Sequence, residues 1–112
     1  MRVTVTWHRQ TNVHIARWIR SLPGNDPDRE GLAWIVLRTI DQYLIACGGI
    51  PPESHLISGT MPPTYWWEVS NEVWVQFAVE DEPWSLRSLL RERLREITIL
   101  RLQRERLNES EQ

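Results

Sequence analysis

Lysine is absent from this 112-residue chain, so all thirteen of its Lys/Arg-type cations are arginines. A guanidinium group stays protonated and offers a planar fork of donors to phosphate, but it cannot act as a base near neutral pH. Proton transfer would have to fall to another residue type. Cysteine occurs once, at Cys47, which rules out an internal disulfide and agrees with a reducing compartment. No apolar run reaches the ~18 residues of a membrane-spanning helix. The N-terminal MRVTVTWH alternates like a strand instead of reading as a signal peptide, so a cytoplasmic protein without membrane contact is expected. There is no phosphate-binding glycine loop, no GxSxG elbow and no paired-carboxylate motif. His8, His14, His55 and Cys47 are not spaced as metal ligands, and no metal or cofactor is expected.

What is present suits one globular domain. The chain is 41% apolar and 25% charged, and long enough to bury one core without a disulfide or metal. The net charge of −2 is unevenly placed: residues 1–83 carry six arginines against ten acids, and residues 84–107 carry seven arginines against three acids. Contact with phosphate would therefore be local to the C-terminal part of an otherwise acidic body.

Alternation marks the strands. Val3, Val5 and Trp7 give a first strand. Tyr65, Trp67 and Val69 alternate with Trp66, Glu68 and Ser70, and Val73, Val75, Phe77 and Val79 alternate with Trp74, Gln76, Ala78 and Glu80. For the apolar faces to coincide, Val69 must lie opposite Val73, with Ser70, Asn71 and Glu72 as the loop. Trp66 then faces Gln76 and Glu68 faces Trp74. The second face of this hairpin carries two tryptophans and a carboxylate.

Helical signals fall between the first strand and the hairpin. Thr11 or Asn12 can cap a helix with Ile15, Trp18 or Ile19, and Leu22 on its apolar side, stopped by Pro23-Gly24. Asp26-Pro27 opens a second helix whose predicted buried stripe is Leu32, Ile35, Val36, Ile40, Tyr43, Leu44 and Cys47, ended by Gly48-Gly49. After the hairpin, Leu86, Leu89, Leu90, Leu94 and Ile97 have helical spacing behind Pro83-Trp84-Ser85, with Arg87, Arg91, Arg93 and Arg95 on the wet side. Ile97–Leu102 reads as the last strand. The expected fold is α+β, in the order β-α-α-β-β-β, with the helical pair covering one face of an antiparallel sheet and an extra short helix before the last strand. Residues 1–107 form the domain and residues 108–112 a polar tail.

That order, together with Leu56 to Gly59 (LISG), Tyr65 to Val69 (YWWEV), Val73 to Glu82 (VWVQFAVEDE) and Ile97 to Arg106 (ITILRLQRER), resembles the RelE/ParE superfamily of bacterial toxin–antitoxin toxins. The resemblance implies a toxin held inactive by a cognate antitoxin protein. In the RelE-type branch it implies a ribosome-dependent endoribonuclease, an mRNA interferase that inhibits translation. The ParE-like branch implies instead a DNA gyrase poison. The positions matching the RelE active residues are Trp66, Glu68, Trp74 and Arg104, of which only Arg104 keeps a cation. With tryptophan at two of these positions and glutamate at a third, much of the charge that stabilises a developing oxyphosphorane is gone.

An altered site remains readable from the residues. Glu68 is the candidate general base on a ribose hydroxyl, Arg104 with Arg101 and Arg106 the candidate phosphate ligands, and Trp66 and Trp74 candidate stacking surfaces for a base. Against this stand two plainer readings. Residues 83–96 can fold over the second sheet face and make both tryptophans core, or the same face can serve as a catalytically inactive peptide- or protein-binding surface.

Overall fold

The computed structural model describes residues 2–21, 29–70, 73–85, 89 and 91–103. Its elements run β1 (Arg2–Trp7), α1 (Thr11–Ser21), α2 (Arg29–Ala46), β2 (His55–Ile57), β3 (Thr64–Ser70), β4 (Val73–Asp81) and β5 (Leu94–Gln103). The strands make a single sheet of order β1-β5-β4-β3-β2. Neighbours are antiparallel except for β1, which runs parallel to β5. The α+β class stands, while the sheet is mixed rather than antiparallel and has a strand more than expected. That strand, β2, is three residues long. Alternation needs a longer window than this to show in a sequence.

The β3–β4 register places Trp66 opposite Gln76 and Glu68 opposite Trp74, as the alternation requires. At the hairpin end it shifts: Ser70, not Val69, pairs with Val73, leaving Val69 as the extra residue of a bulge. Ser70 therefore belongs to the strand and not to the loop. Asn71 and Glu72 lie outside the described residues.

A second bulge matters more for function. Phe77 pairs with Ile99 and Gln76 with Arg101, so Leu100 is the unmatched residue of β5. Without it, strict alternation from Ile97 and Ile99 would turn Arg101 toward the core and Leu102 away from it. With it, Leu102 joins Val75 in the core and Arg101 takes the opposite face. The Ile99 carbonyl at this point accepts from the His8 backbone N–H and from the Thr11 hydroxyl, both at 2.9 Å. Thr11 thus ties the start of α1 to β5.

Both helices pack on the face formed by Trp67, Val73, Val75, Phe77, Val79, Ile97, Ile99 and Leu102. Helix α1 contributes Ile15 and Trp18, and α2 contributes Ala33, Leu37, Ile40 and Leu44. This differs from the predicted stripe of α2: Ile35 and Tyr43 are exposed, and the Leu32 side chain lies outside the described set. The helix is apolar around most of its circumference, so periodicity does not select the face that docks. Tyr43 nonetheless stacks on Trp67 at 5.1 Å between ring centroids, and Tyr65 stacks on Phe77 at 5.5 Å. At the layer's edge the Trp7 indole donates to the Asp41 carboxylate at 2.6 Å, and burial holds that carboxyl above the usual carboxylate range.

The expected short helix before β5 fails at its C-terminal half, because Leu94 and Ile97 lie in β5. Their apolar character is used at strand period instead, Ile97 being fully buried in the core. Leu86, Arg87 and Leu90 lie outside the described residues, as do Leu22, the PGNDPD connection and residues 104–112. No described helix is long and apolar enough to cross a membrane.

Helix α2 ends where its glycines are. The Gly49 N–H reaches the Leu44 carbonyl at 2.7 Å and Gly48 has a positive φ of 86°, which together make a Schellman ending. Gly49 is also at positive φ, 98°, and a Cβ there would stand 2.9 Å from Arg95 Cδ and 3.0 Å from Ile97 Cδ1. Close approach lets Arg95 donate to the Gly48 carbonyl at 2.9 Å and, through Nε and Nη2, to both oxygens of Asp81. One arginine thus fastens the helix end to the sheet. Replacing Gly49 by alanine is expected to cost about 1–3 kcal/mol from backbone strain alone, with the steric conflict adding to it. Urea unfolding of Gly49→Ala beside Gly31→Ala, a helical glycine with nothing within 4 Å of a Cβ, checks this; equal stabilities would refute it.

Candidate functional site

The sheet face away from the helices is a lattice set by the pairing. One cross-strand row reads His55, Trp66, Gln76 and Arg101 from β2 to β5. The next reads Glu68, Trp74 and Gln103. On the other side of the first row come Ile57, Thr64, Ala78, Thr98 and Thr6, and beyond them Glu80, Glu96 and Thr4. The structure therefore brings Trp66, Trp74, Glu68 and Arg101 to a common face. Arg104 and Arg106 lie outside the described residues.

The two tryptophans are packed into this face and not presented by it. Trp66 is 5% exposed and Trp74 is 6% exposed. Neither has a free ring face for a nucleic-acid base, which requires an accessible aromatic platform. The Trp66-Trp67 pair thus splits between layers: Trp67 joins the helical core and donates to Glu53 at 3.0 Å, while the buried Trp66 Nε1 finds no hydrogen-bond partner among the described residues. An unmet buried N–H costs about 1–3 kcal/mol. Glu68 and Arg101 are exposed, and Arg101 forms no ion pair with a described residue. From strand spacings their Cα atoms are roughly 12 Å apart, two strands across and one row along. That separation suits groups flanking a nucleotide better than groups sharing one oxygen.

The arginines before Arg101 are already engaged. Arg91 pairs with Glu82 at 2.7 Å. Arg93 donates to the Glu82 carbonyl through Nε and Nη2 and lies over the Trp84 ring at 4.5 Å. Arg95 is bidentate on Asp81, and this contact holds the Asp81 carboxyl below its usual range. The expectation that Arg93 and Arg95 line the wet side of a helix is overturned: both are partly buried and pinned, Arg95 within β5. A sequence count sees clustered positive charge, but the acids of residues 80–82 neutralise much of it locally. This end of the face is acidic, with Glu80 opposite Glu96 and a hollow of about 210 Å³ lined by Glu80, Asp81, Glu82, Pro83, Leu94 and Glu96. Phosphate is disfavoured here and favoured near Arg101.

The sequence reading passed over one residue on this face and another on α1 behind it. His55 stands exposed at the edge of the face, in line with Trp66, Gln76 and Arg101. Its strand is too short to carry a pattern, although the Leu-x-Ser-Gly stretch beside it pointed to the region. His14 on α1 lies against the bulge, its Nδ1 buried without a hydrogen-bond partner. Burial first, and then the nearby Arg101 and Arg17 guanidinium groups, push the His14 pKa down, against a hydrogen bond to Leu100 that favours the cation. Among the described residues, no three His, Cys, Asp or Glu side chains are grouped as a metal site.

Compared with models of known protein families, with characterised proteins and with solved structures, the chain finds no match.

The His14 shift has a measurable sign. Its folded-state pKa lies below the ordinary histidine value near 6.5, so the unfolded chain takes up the proton first as pH falls. Stability should then decline as pH drops through about 6.5 toward 5. Urea midpoints across that range are expected to fall for the parent chain and to change less for His14→Gln. Parallel pH profiles for the two proteins would contradict the assignment.

Proposed function

We propose that this protein is a toxin-like component of a toxin–antitoxin pair, of the RelE/ParE type, that inhibits translation through RNA contacts on the sheet face opposite the helices. The observation that carries the reading is the position of Arg101: exposed, without an ion pair among the described residues, and turned onto that face by the Leu100 bulge. The β-α-α followed by an antiparallel strand meander supports it at the level of layout. In this reading Arg101, with Arg104 and Arg106 following it in sequence, binds phosphate at the decoding site of the ribosome, and the cognate antitoxin covers the same side. Glu68 and His55, in the two rows that hold Trp66, Trp74 and Arg101, are the residues able to take a proton from a ribose hydroxyl beside Arg101. The tryptophans shape the face from within.

A second reading, a ParE-like gyrase poison, is favoured by one specific observation. Where the resemblance implies ribonuclease cations, the chain has the buried rings of Trp66 and Trp74. Binding without cleavage fits that substitution, and so does a catalytically inactive protein-binding module on the same face.

Induction of the chain alone, with translation, DNA replication and mRNA 5′ ends followed in parallel, separates these. The proposed activity predicts a fall in amino-acid incorporation before DNA synthesis responds, weakened by Arg101→Ala and by Arg104→Ala. If Glu68 is the general base of a cleavage step, Glu68→Gln lowers the appearance of new mRNA ends by about 10²–10⁴-fold. An SOS response with intact mRNA would replace the ribosome by gyrase, and unaltered growth would remove the toxin reading altogether.

A further inference from the structure

Trp34, Arg38, Asp41 and Ile45 follow one another on α2 at intervals of four, three and four residues, the spacing that keeps side chains in one seam along a helix. The seam runs along the flank of α2 above β1, where Asp41 meets Trp7, and β1 is an edge strand of the sheet. Trp34 and Ile45, at its two ends, are 56% and 52% exposed. Large apolar side chains grouped on one flank mark an interface, where single scattered ones do not. Between them stand two charges that are not matched to each other. Arg38 is exposed and has no ion pair among the described residues. Asp41 is half-buried; its Oδ1 accepts from the Trp7 indole at 2.6 Å, and no described residue donates to its Oδ2. Burial raises the pKa of this carboxyl, the indole bond acts against it, and no cation contributes.

The order of these four side chains is self-complementary. Turned end for end against a second copy, the seam sets Trp34 on the other Ile45 and Arg38 opposite the other Asp41, and the twofold axis repeats both contacts. A parallel pairing would set Arg38 on Arg38 and Asp41 on Asp41, which like-charge repulsion disfavours. Orientation and register thus follow from the charges. The bond to Trp7 uses one oxygen of Asp41 and leaves the other for a guanidinium, so the ion pair forms without loss of the contact that ties α2 to β1. Each charge taken out of water in the contact gains a partner of opposite sign, which an apolar interface requires. A foreign helix would have to present an apolar residue, a cation, a carboxylate and a second apolar residue at these same intervals; α2 of a second copy presents them already.

We propose that α2 is the interface of a homodimer, in which the seams of two copies pack antiparallel with Arg38 of each on Asp41 of the other. From Trp34 to Ile45 the seam is roughly 17 Å long, and a single pair of helices falls at the small end of interface sizes, so the dimer is weak and reversible. The proposal does not rest on the toxin reading, since it uses the helical layer and leaves the Arg101 face of both copies open.

Sedimentation velocity of the full chain from about 1 to about 300 μM is expected to show a monomer–dimer equilibrium with a midpoint on the order of tens of μM. Arg38→Asp leaves carboxylates at both central positions and Asp41→Arg leaves guanidinium groups at both. Each substitution alone should weaken dimerisation by about tenfold or more, and mixing the two variants should restore it, in a dimer with one copy of each. Ile45→Arg should likewise weaken it by about tenfold or more. Circular dichroism melts check the fold of each variant. Arg38 and Ile45 are exposed, so their substitutions decide the matter even where Asp41→Arg, which removes the bond to Trp7, does not fold. A monomer at every concentration overturns the proposal and leaves the seam to a different protein. A dimer undiminished by Arg38→Asp or Ile45→Arg overturns it by placing the contact elsewhere, and folded variants of opposite charge that do not associate on mixing overturn the antiparallel arrangement.

Discussion

One unmatched residue in β5 governs how the remainder of the molecule is disposed. Leu100 interrupts the β4–β5 ladder, and Arg101, Leu102 and Gln103 after it change sides. Leu102 enters the core opposite Val75, and Arg101 leaves it. The freed geometry at Ile99 is used at once, its carbonyl receiving the backbone of His8 and the hydroxyl of Thr11, which anchors α1 beside the strand. Core completion, helix placement and exposure of the candidate phosphate ligand are thus aspects of the same local irregularity. Bulges often re-aim a side chain in this way near functional surfaces.

The central strand imposes the second condition. β4 is buried on both sides over most of its length: Val73, Val75, Phe77 and Val79 face the helices, and Trp74 and Ala78 pack into the other layer. Tryptophans at these positions give the outer face a hydrophobic floor, at the cost of an unmet Trp66 indole N–H. Over that floor the charge is graded, from Glu80 and Glu96 at one end to Arg101 toward the other. A polyanion approaching the face meets attraction over a small area only. The chain's chemistry is in this sense local, and a count of arginines overstates it.

How much of this was legible beforehand differs from element to element. β1, β3 and β4 have long, clean alternation, and the pairing of Trp66 with Gln76 and of Glu68 with Trp74 followed from it. Gly48-Gly49 marked the end of α2 for a conformational reason that holds in the structure. The face of α2 was not legible, because Ile35 and Tyr43 are as apolar as Leu37 and Leu44. The start of β5 was misread for a related reason: leucines and Ile97 satisfy a helical period as well as a strand period. The bulge did leave a trace in the sequence, since apolar residues at 97, 99 and 102 break a two-residue repeat. At the site, the common face of Trp66, Glu68 and Trp74 could be deduced from the hairpin register, whereas Arg101 reaches it only through the Leu100 bulge. Burial of Trp66 and Trp74 could not, nor could pairing of Arg91 and Arg95 with acids that lie more than eight positions away in the chain.

The parallel contact between β1 and β5 joins Arg2–Trp7 to residues Leu94–Ile99. Within this domain the strand earliest in sequence is therefore among the last to find its neighbour, because nearly the whole domain must be synthesised before residues 94–99 emerge. Until then Val3, Val5 and Trp7 have no strand to lie against, and pairing over so long a separation is slow to form. A nascent or truncated chain lacking β5 would have neither the strand that joins β1 to β4 nor Arg101, so assembly of the domain and arrival of its exposed cation coincide in time.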